Sequence, residues 1–236
     1  MKPLILVTSL VMCCSIFYGT KSEESTLPIK TYDQAKAEVQ ARRSKYLNAY
    51  NSANSDQKKI ILSQAGKYLD SAVCDILFPY WKGTKWDFNG HTNIPNEGEI
   101  ACGYLVSTIL KHSGLNLNRY KMAQQSALSE IKTISGNNGA HFLGDNYEDA
   151  LDKLKCYKSG LYILGLSNHV GFIRVKDEKV SFIHSTYLHP TQAINEKAED
   201  SDAFTYSNVY YIGEISNSPQ LIKKWLKNDI VNIVFD

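Results

Sequence analysis

The chain has 236 residues, a formal net charge of +2 and 43% apolar residues, fifteen tyrosines among them. That length and apolar share support one ordinary globular domain with a real core, with room for a small helical appendage. The near-balanced charge, with no basic stripe interleaved with aromatics, argues against a dedicated nucleic-acid binder.

Lys2 and the apolar run over residues 4–17 read as a secretory leader, too short to span a bilayer comfortably. Cys13 and Cys14 close that run, where a bacterial lipoprotein signal carries its lipid-modified cysteine. Residues 1–19 are therefore read as a signal peptide of plain or lipoprotein type, and residues 20–31 as a tether. The chain is expected to be exported: periplasmic, lipid-anchored at the outer membrane, or secreted. Beyond the leader stand Cys74, Cys102 and Cys156. An odd number does not make a disulfide framework, and a single Cys74–Cys156 pair would leave Cys102 free.

Residues 32–50 have helical periodicity, with Ala35, Val39 and Leu47 on one side. Ser55 or Asp56 is expected to cap a second helix reaching about residue 78, where Pro79 ends it. Residues 32–78 then form a helical extension packed on a main domain over residues 79–236. The segment from Tyr80 and Trp81 through Trp86 to Asn89 is dense in aromatics and turn formers, which favours the lining of a groove.

Gly98 turns the chain into an apolar helix over residues 101–112, with Cys102 in its first turn and Leu105, Val106, Ile109 and Leu110 as its buried stripe. The first turn of a helix presents unpaired N–H groups and the positive end of the macrodipole, so a thiol there ionises more readily. One helix is expected from Asn118 to about residue 134, with Gln124 and Gln125 facing solvent, and a shorter one capped by Asn146. From Gly160 the period changes to two. Strands are read at 161–166, 169–175, 179–186 and 209–215, followed by a helix at 221–226 and an edge strand at 230–235. Helices followed by an antiparallel sheet define an α+β chain.

Register decides whether His169 and His184 can cooperate. A two-residue Asp177-Glu178 turn sets Val175 opposite Val180 and Ile173 opposite Phe182. Alternation then places His169, Gly171, Ile173, Val175, Val180, Phe182 and His184 on one face, while a one-residue slip would separate the histidines. In the even register they are diagonal neighbours, about 7 Å apart by backbone. Gly171 is expected to leave space beside His184, and the helix of Cys102 to pack on that same face. A thiol, an imidazole that takes its proton and a second imidazole that orients the first would then stand together. His91, His112, His141 and His189 are read as surface or loop residues.

Ala-Cys-Gly-Tyr-Leu-Val at 101–106, Asn-His-Val-Gly-Phe-Ile at 168–173 and Phe-Ile-His-Ser at 182–185 together resemble the NlpC-type papain-like cysteine peptidases and amidases. The resemblance covers about residues 80–215. It implies a papain-like fold with the cysteine at the N-terminus of a core helix packed on an antiparallel sheet. It also implies Cys102 as nucleophile, His169 as general base and His184 as the orienting third residue, acting without a cofactor on cell-wall peptides. The family usually has Asp-Cys-Ser-Gly where this chain has Ala101-Cys102-Gly103-Tyr104, and the insert over residues 115–157 exceeds the minimal fold.

Tyr80, Trp81, Trp86, Asn89, Tyr104 and Ser185 are expected to line the substrate groove, with the backbone N–H of Cys102 as an oxyanion donor. The expected partner is a peptide or peptidoglycan fragment taken by a monomer. Membrane contact would come only through an N-terminal lipid anchor. Acyl transfer on the same residues, a non-catalytic envelope binding module, and a zinc site formed by Cys102, His169 and His184 are the alternatives.

Overall fold

A computed structural model describes residues 30–236; the leader, Cys13, Cys14 and all but the end of the tether lie outside the described residues. Helix α1 (Tyr32–Ser52) begins at Thr31, whose side chain accepts the Gln34 N–H while the Gln34 side chain accepts the Thr31 N–H. The same capping box opens α2 (Ser55–Ser71), built by Asn54 and Gln57, so the cap lies one residue before Ser55. Pro79 does not end the helical run. The chain passes through a π-helical segment, Ala72–Leu77, into α3 (Phe78–Trp81). The changed bonding pattern ahead of Pro79 and its place in the first turn of α3 accommodate a residue with no N–H.

Helix α4 (Cys102–His112) follows a long loop. In place of the single helix expected from Asn118 there are two, α5 (Arg119–Ala123) and α6 (Ala127–Ser135). Ser126 separates them by capping α6 through the Ser129 N–H, and its own hydroxyl and N–H are held by the Asp236 carboxylate. A short polar side chain competing for backbone groups favours a cap over a helix interior. Then come β1 (Ala140–Gly144), α7 (Tyr147–Lys155) capped by Asn146, β2 (Gly160–Leu166), β3 (Val170–Lys176), β4 (Lys179–Ser185), β5 (Ala193–Lys197), α8 (Asp202–Thr205), β6 (Tyr210–Glu214) and α9 (Pro219–Lys227).

The strands form one antiparallel sheet in the order β1-β6-β2-β3-β4-β5. An α+β architecture is thus observed. Neither edge strand is legible in the sequence, because each is short and half-exposed, without sustained alternation. The expected edge strand at 230–235 is absent; that segment makes an isolated bridge, Asn116 to Ile230, and gives the Val231 N–H to the Asn116 carbonyl.

The β3–β4 register is the even one, with Val175 opposite Val180 and Ile173 opposite Phe182. Asp177 and Glu178 carry φ of 51° and 62°, the left-handed pair of a type I′ turn. The face chosen by α4 is not the expected one. Its Leu105, Val106 and Ile109 pack with Val170, Phe172 and Ile183, whereas Ile173, Val175, Val180 and Phe182 pack with Ala150, Leu151 and Leu154 of α7 and with Phe204. Both faces of this sheet are buried and apolar, so alternation alone does not choose between them. Nor is there space at Gly171, where a Cβ would lie 2.6 Å from the Phe182 ring and 2.8 Å from the His184 Cβ.

Ala35, Val39, Ala65 and Leu69 of the first two helices share the core of α4 and α9. Residues 32–78 are therefore an extension of that core. His112 is half-buried rather than a surface residue: its Nδ1 pairs with the Tyr32 hydroxyl at 2.8 Å, and that hydroxyl accepts the Trp81 indole N–H at 2.7 Å. Burial, followed by nearby cations, pulls the His112 pKa down to about 4. Cys74 is buried, Cys156 is exposed, and both are free, so the expected pairing does not form. Among the described residues no helix is long and apolar enough to cross a membrane.

The seam between α2 and the segment after β6 is tight. A Cβ at Gly66 would lie 2.0 Å from the Ser216 carbonyl oxygen. Gly66→Ala should lower stability by about 2 kcal/mol or more. Urea unfolding would then show a lower midpoint with an unchanged slope.

Candidate active site

The position of Cys102 is set by its preceding loop. The Ile100 N–H bonds the Lys85 carbonyl at 2.9 Å and the Ala101 N–H bonds the Gly90 carbonyl at 2.8 Å. Ser185 Oγ, on β4, donates to the Ile100 carbonyl at 2.7 Å. Ser185 therefore does not line the groove; it is buried and ties the cysteine loop to the strand that carries His184. Ala101 is the N-cap of α4 and has no side-chain capping bond, so no side chain occupies the first N–H groups of the helix.

Cys102 and His169 line one cleft of about 620 Å³, together with Trp86, Phe88, Tyr104, Glu130 and Tyr187. His169 immediately precedes β3 at the end of the sheet, where the N-terminus of α4 arrives. Its Nε2 lies 2.8 Å from His184 Nδ1, and His184 Nε2 lies 2.9 Å from Glu196 Oε1. Glu196 reaches this point because β5 pairs it with Phe182, which shares a face with His184. The Phe182 ring stacks on His184 at 4.0 Å and 15°. His169 and His184 are both buried.

This chain of contacts fixes the ring tautomers. The carboxylate of Glu196 only accepts, so His184 Nε2 carries the hydrogen. In neutral His184 the Nδ1 then accepts, so His169 Nε2 is the donor. Neutral His169 is left with a bare lone pair on Nδ1, an atom that is buried and has no hydrogen-bond partner among the described residues. Burial pushes the Glu196 carboxyl up, but its hydrogen bond to His184 and the nearby Ser201 side chain together outweigh this and leave its pKa below the ordinary value. Burial, with His184 adding to it, holds His169 well below the usual imidazole range, and burial also lowers His184. The imidazoles are therefore neutral near pH 7, as the tautomer argument requires. Both His184 nitrogens are engaged, so this ring has no free ligand for a zinc ion shared with Cys102.

The Cys102 thiol is raised to about 11, first by loss of water and then by Glu130, against backbone N–H groups of Val170, Gly103 and Cys102 itself that favour the thiolate. Those N–H groups oppose the loss of solvation without overcoming it. A thiol and an imidazole, both neutral, are thus the resting pair.

Of the groove residues expected from sequence, Trp86 and Tyr104 line the cleft. The others do not. Trp81 is fully buried in the core, Tyr80 gives its hydroxyl to the Lys30 carbonyl, and Asn89 is an exposed turn residue. Tyr80 and Trp81 fall away because the helical run continues through Pro79 and carries them to the α1 side. Gln125 is half-buried and lines the cleft, contrary to its expected exposure. Phe88 belongs to the aromatic segment expected to line a groove, whereas Tyr187, Glu130 and Glu196 join the site without a sequence signal of their own. Only strand register could reveal Glu196, and β5 has the look of a loop. Comparison with protein-family models, curated proteins and solved structures finds nothing that matches this chain.

Alkylation of Cys102 by iodoacetamide should accelerate by about tenfold per pH unit through neutral and mildly alkaline pH, levelling only near the raised pKa. Peptide mass mapping separates this adduct from that of exposed Cys156. A rate independent of pH around neutrality would instead reveal a preformed thiolate–imidazolium pair.

Proposed function

We propose that the protein is a cysteine hydrolase that cleaves an amide bond through Cys102, His169 and His184, with Glu196 completing the relay. One observation carries this reading: the Glu196–His184–His169 chain leaves a buried, unpartnered Nδ1 lone pair on a histidine of the cleft that Cys102 lines. No hydrogen bond joins the thiol to that nitrogen, and catalytic contacts in free enzymes are commonly long until substrate arrives.

In the proposed cycle His169 Nδ1 takes the thiol proton as Cys102 Sγ attacks the scissile carbonyl carbon. A C–S bond forms, and the carbonyl electron pair moves onto oxygen. The uncapped N–H groups at the start of α4 face the developing oxyanion. Collapse breaks the C–N bond, and His169 returns the proton to the departing amine, leaving a thioester. Water then attacks with His169 again as base, the C–S bond breaks, and the carboxylic product and the thiol are released. Throughout, His184 accepts from His169 Nε2 and Glu196 accepts from His184, so the positive charge of the imidazolium is shared without moving either ring.

The motif resemblance supports cell-wall peptides as substrate, and the leader reading of residues 1–19 supports action outside the cytoplasm. The test is digestion of purified cell-wall fragments by wild type and by Cys102→Ala, read by mass spectrometry for a new free amine in the stem peptide. Cys102→Ala should abolish release while remaining folded. Undiminished release by that variant would overturn the assignment. His169→Ala should cost about 10³-fold and His184→Ala about 10²-fold in kcat/KM. Glu196→Gln should cost less, since a glutamine oxygen can still accept from His184 but carries no charge to support its cationic neighbour.

A further inference from the structure

The cysteine chemistry leaves one buried group on the cleft wall unexplained. Glu130, on α6, is 2% exposed, lines the same cleft as Cys102 and His169, and its Oε2 has no hydrogen-bond partner among the described residues. A buried carboxyl with an unmatched oxygen is costly, and a native fold retains one where a ligand supplies the missing partner. The fold makes room for it: a Cβ on residue 103 would lie 2.5 Å from Glu130 Oε1 and 3.1 Å from the Ala123 carbonyl oxygen. Glycine at position 103, in the first turn of α4, is what allows the carboxyl to sit against the turn that holds the nucleophile.

The rest of the wall favours a cation. Among the described residues no lysine or arginine lines the cleft, and the aromatic rings of Trp86, Phe88, Tyr104 and Tyr187 do. Aromatic faces attract ammonium groups. A second carboxyl group, that of Asp236, is hydrogen-bonded to the cleft-lining Ser126 at the head of α6 and adds negative charge near this wall.

We propose that Glu130 is the specificity-determining residue of the cleft, and that it takes a primary ammonium group of a peptide substrate within about two residues of the scissile carbonyl. This rests on the cysteine-hydrolase reading for the identity of the reacting bond, but the binding contact itself does not need catalysis. Burial holds the Glu130 carboxyl well above its ordinary pKa, so the empty site is neutral and becomes an ion pair when an ammonium enters. The ion pair so formed carries no net charge, so Glu130 ionised beside an ammonium does not oppose the Cys102 thiolate as an isolated carboxylate would. An acetylated amine would bring neither charge nor a full set of donors, and would leave the carboxyl underbonded.

The experiment compares alanyl-alanyl chloromethyl ketone with its N-acetyl form as alkylating probes of wild type. In each, Cys102 sulfur attacks the methylene carbon, a C–S bond forms, the C–Cl bond breaks with loss of chloride, and the thiol proton passes to His169. The free-amine probe should label Cys102 about tenfold faster or more, the ratio that one charged hydrogen bond commands. Glu130→Gln, isosteric but unable to ionise, should bring the two rates close together, the readout being the ratio between the probes and not either rate by itself.

The wild-type pair of probes decides the question even if that variant does not fold. Equal rates, or faster labelling by the acetylated probe, overturn the proposal and leave the cysteine reading standing. If Cys102 resists every alkylating probe, the cysteine reading fails, and calorimetry of alanyl-alanine amide against N-acetyl-alanyl-alanine amide on Cys102→Ala decides the binding claim separately. Preferential binding of the free amine upholds it, and no preference overturns it.

Discussion

The hydrogen bond from His184 to the Glu196 carboxylate sets the chemistry of everything on the cleft side of it. A carboxylate can only accept, and that single restriction propagates through two rings until it appears as a bare nitrogen lone pair on the cleft histidine. The positions of the rings are fixed by other means: Phe182 stacks on His184, and the Tyr187 and His169 rings meet edge to face at 5.7 Å. The scaffold supplies the geometry, and the carboxylate supplies the polarity.

Strand β4 couples the two halves of the site. His184 belongs to the relay, while its neighbour Ser185 holds the Ile100 carbonyl, two residues before Cys102. A strand alternates its side chains, so adjacent residues address opposite layers of the fold. The cysteine and the histidines approach from those opposite layers and meet at the end of the sheet. That explains how α4 can pack on the face carrying Val170 and Phe172 while His184 stacks on Phe182 and His169 meets that ring edge to face. The same enclosure raises the thiol and lowers the imidazoles, which keeps the resting thiol and imidazoles uncharged. In the proposed reaction, charge develops on them only as the chemistry proceeds, where fixed dipoles stabilise it most.

Much of the frame is legible in the chain. The α4 stripe of Leu105, Val106, Ile109 and Leu110, the Asn146 cap and the buried strand after Gly160 all follow from periodicity and local capping. The Asp177-Glu178 turn does too, and with it the register that brings His169 and His184 together. Local rules fail where two local preferences are balanced. Pro79 reads as a stop, but the π-helical segment before it carries the helix on and draws Tyr80 and Trp81 away from the cleft. Gln124 and Gln125 read as a helix surface, but Ser126 and the distant Asp236 break that helix and turn Gln125 toward the cleft.

The sequence by itself determined the α+β class, the cysteine at a helix start and the pairing of the two histidines, because each depends on neighbours in the chain or on one short turn. Only the tertiary structure decided which sheet face α4 covers, since both faces are apolar. It alone also brought Glu196 to His184 and Glu130 to the first turn of α4. Those two carboxyls lie on elements whose own sequences carry no sign of the site; strand pairing in one case, and a glycine-sized gap between helices in the other, put them there.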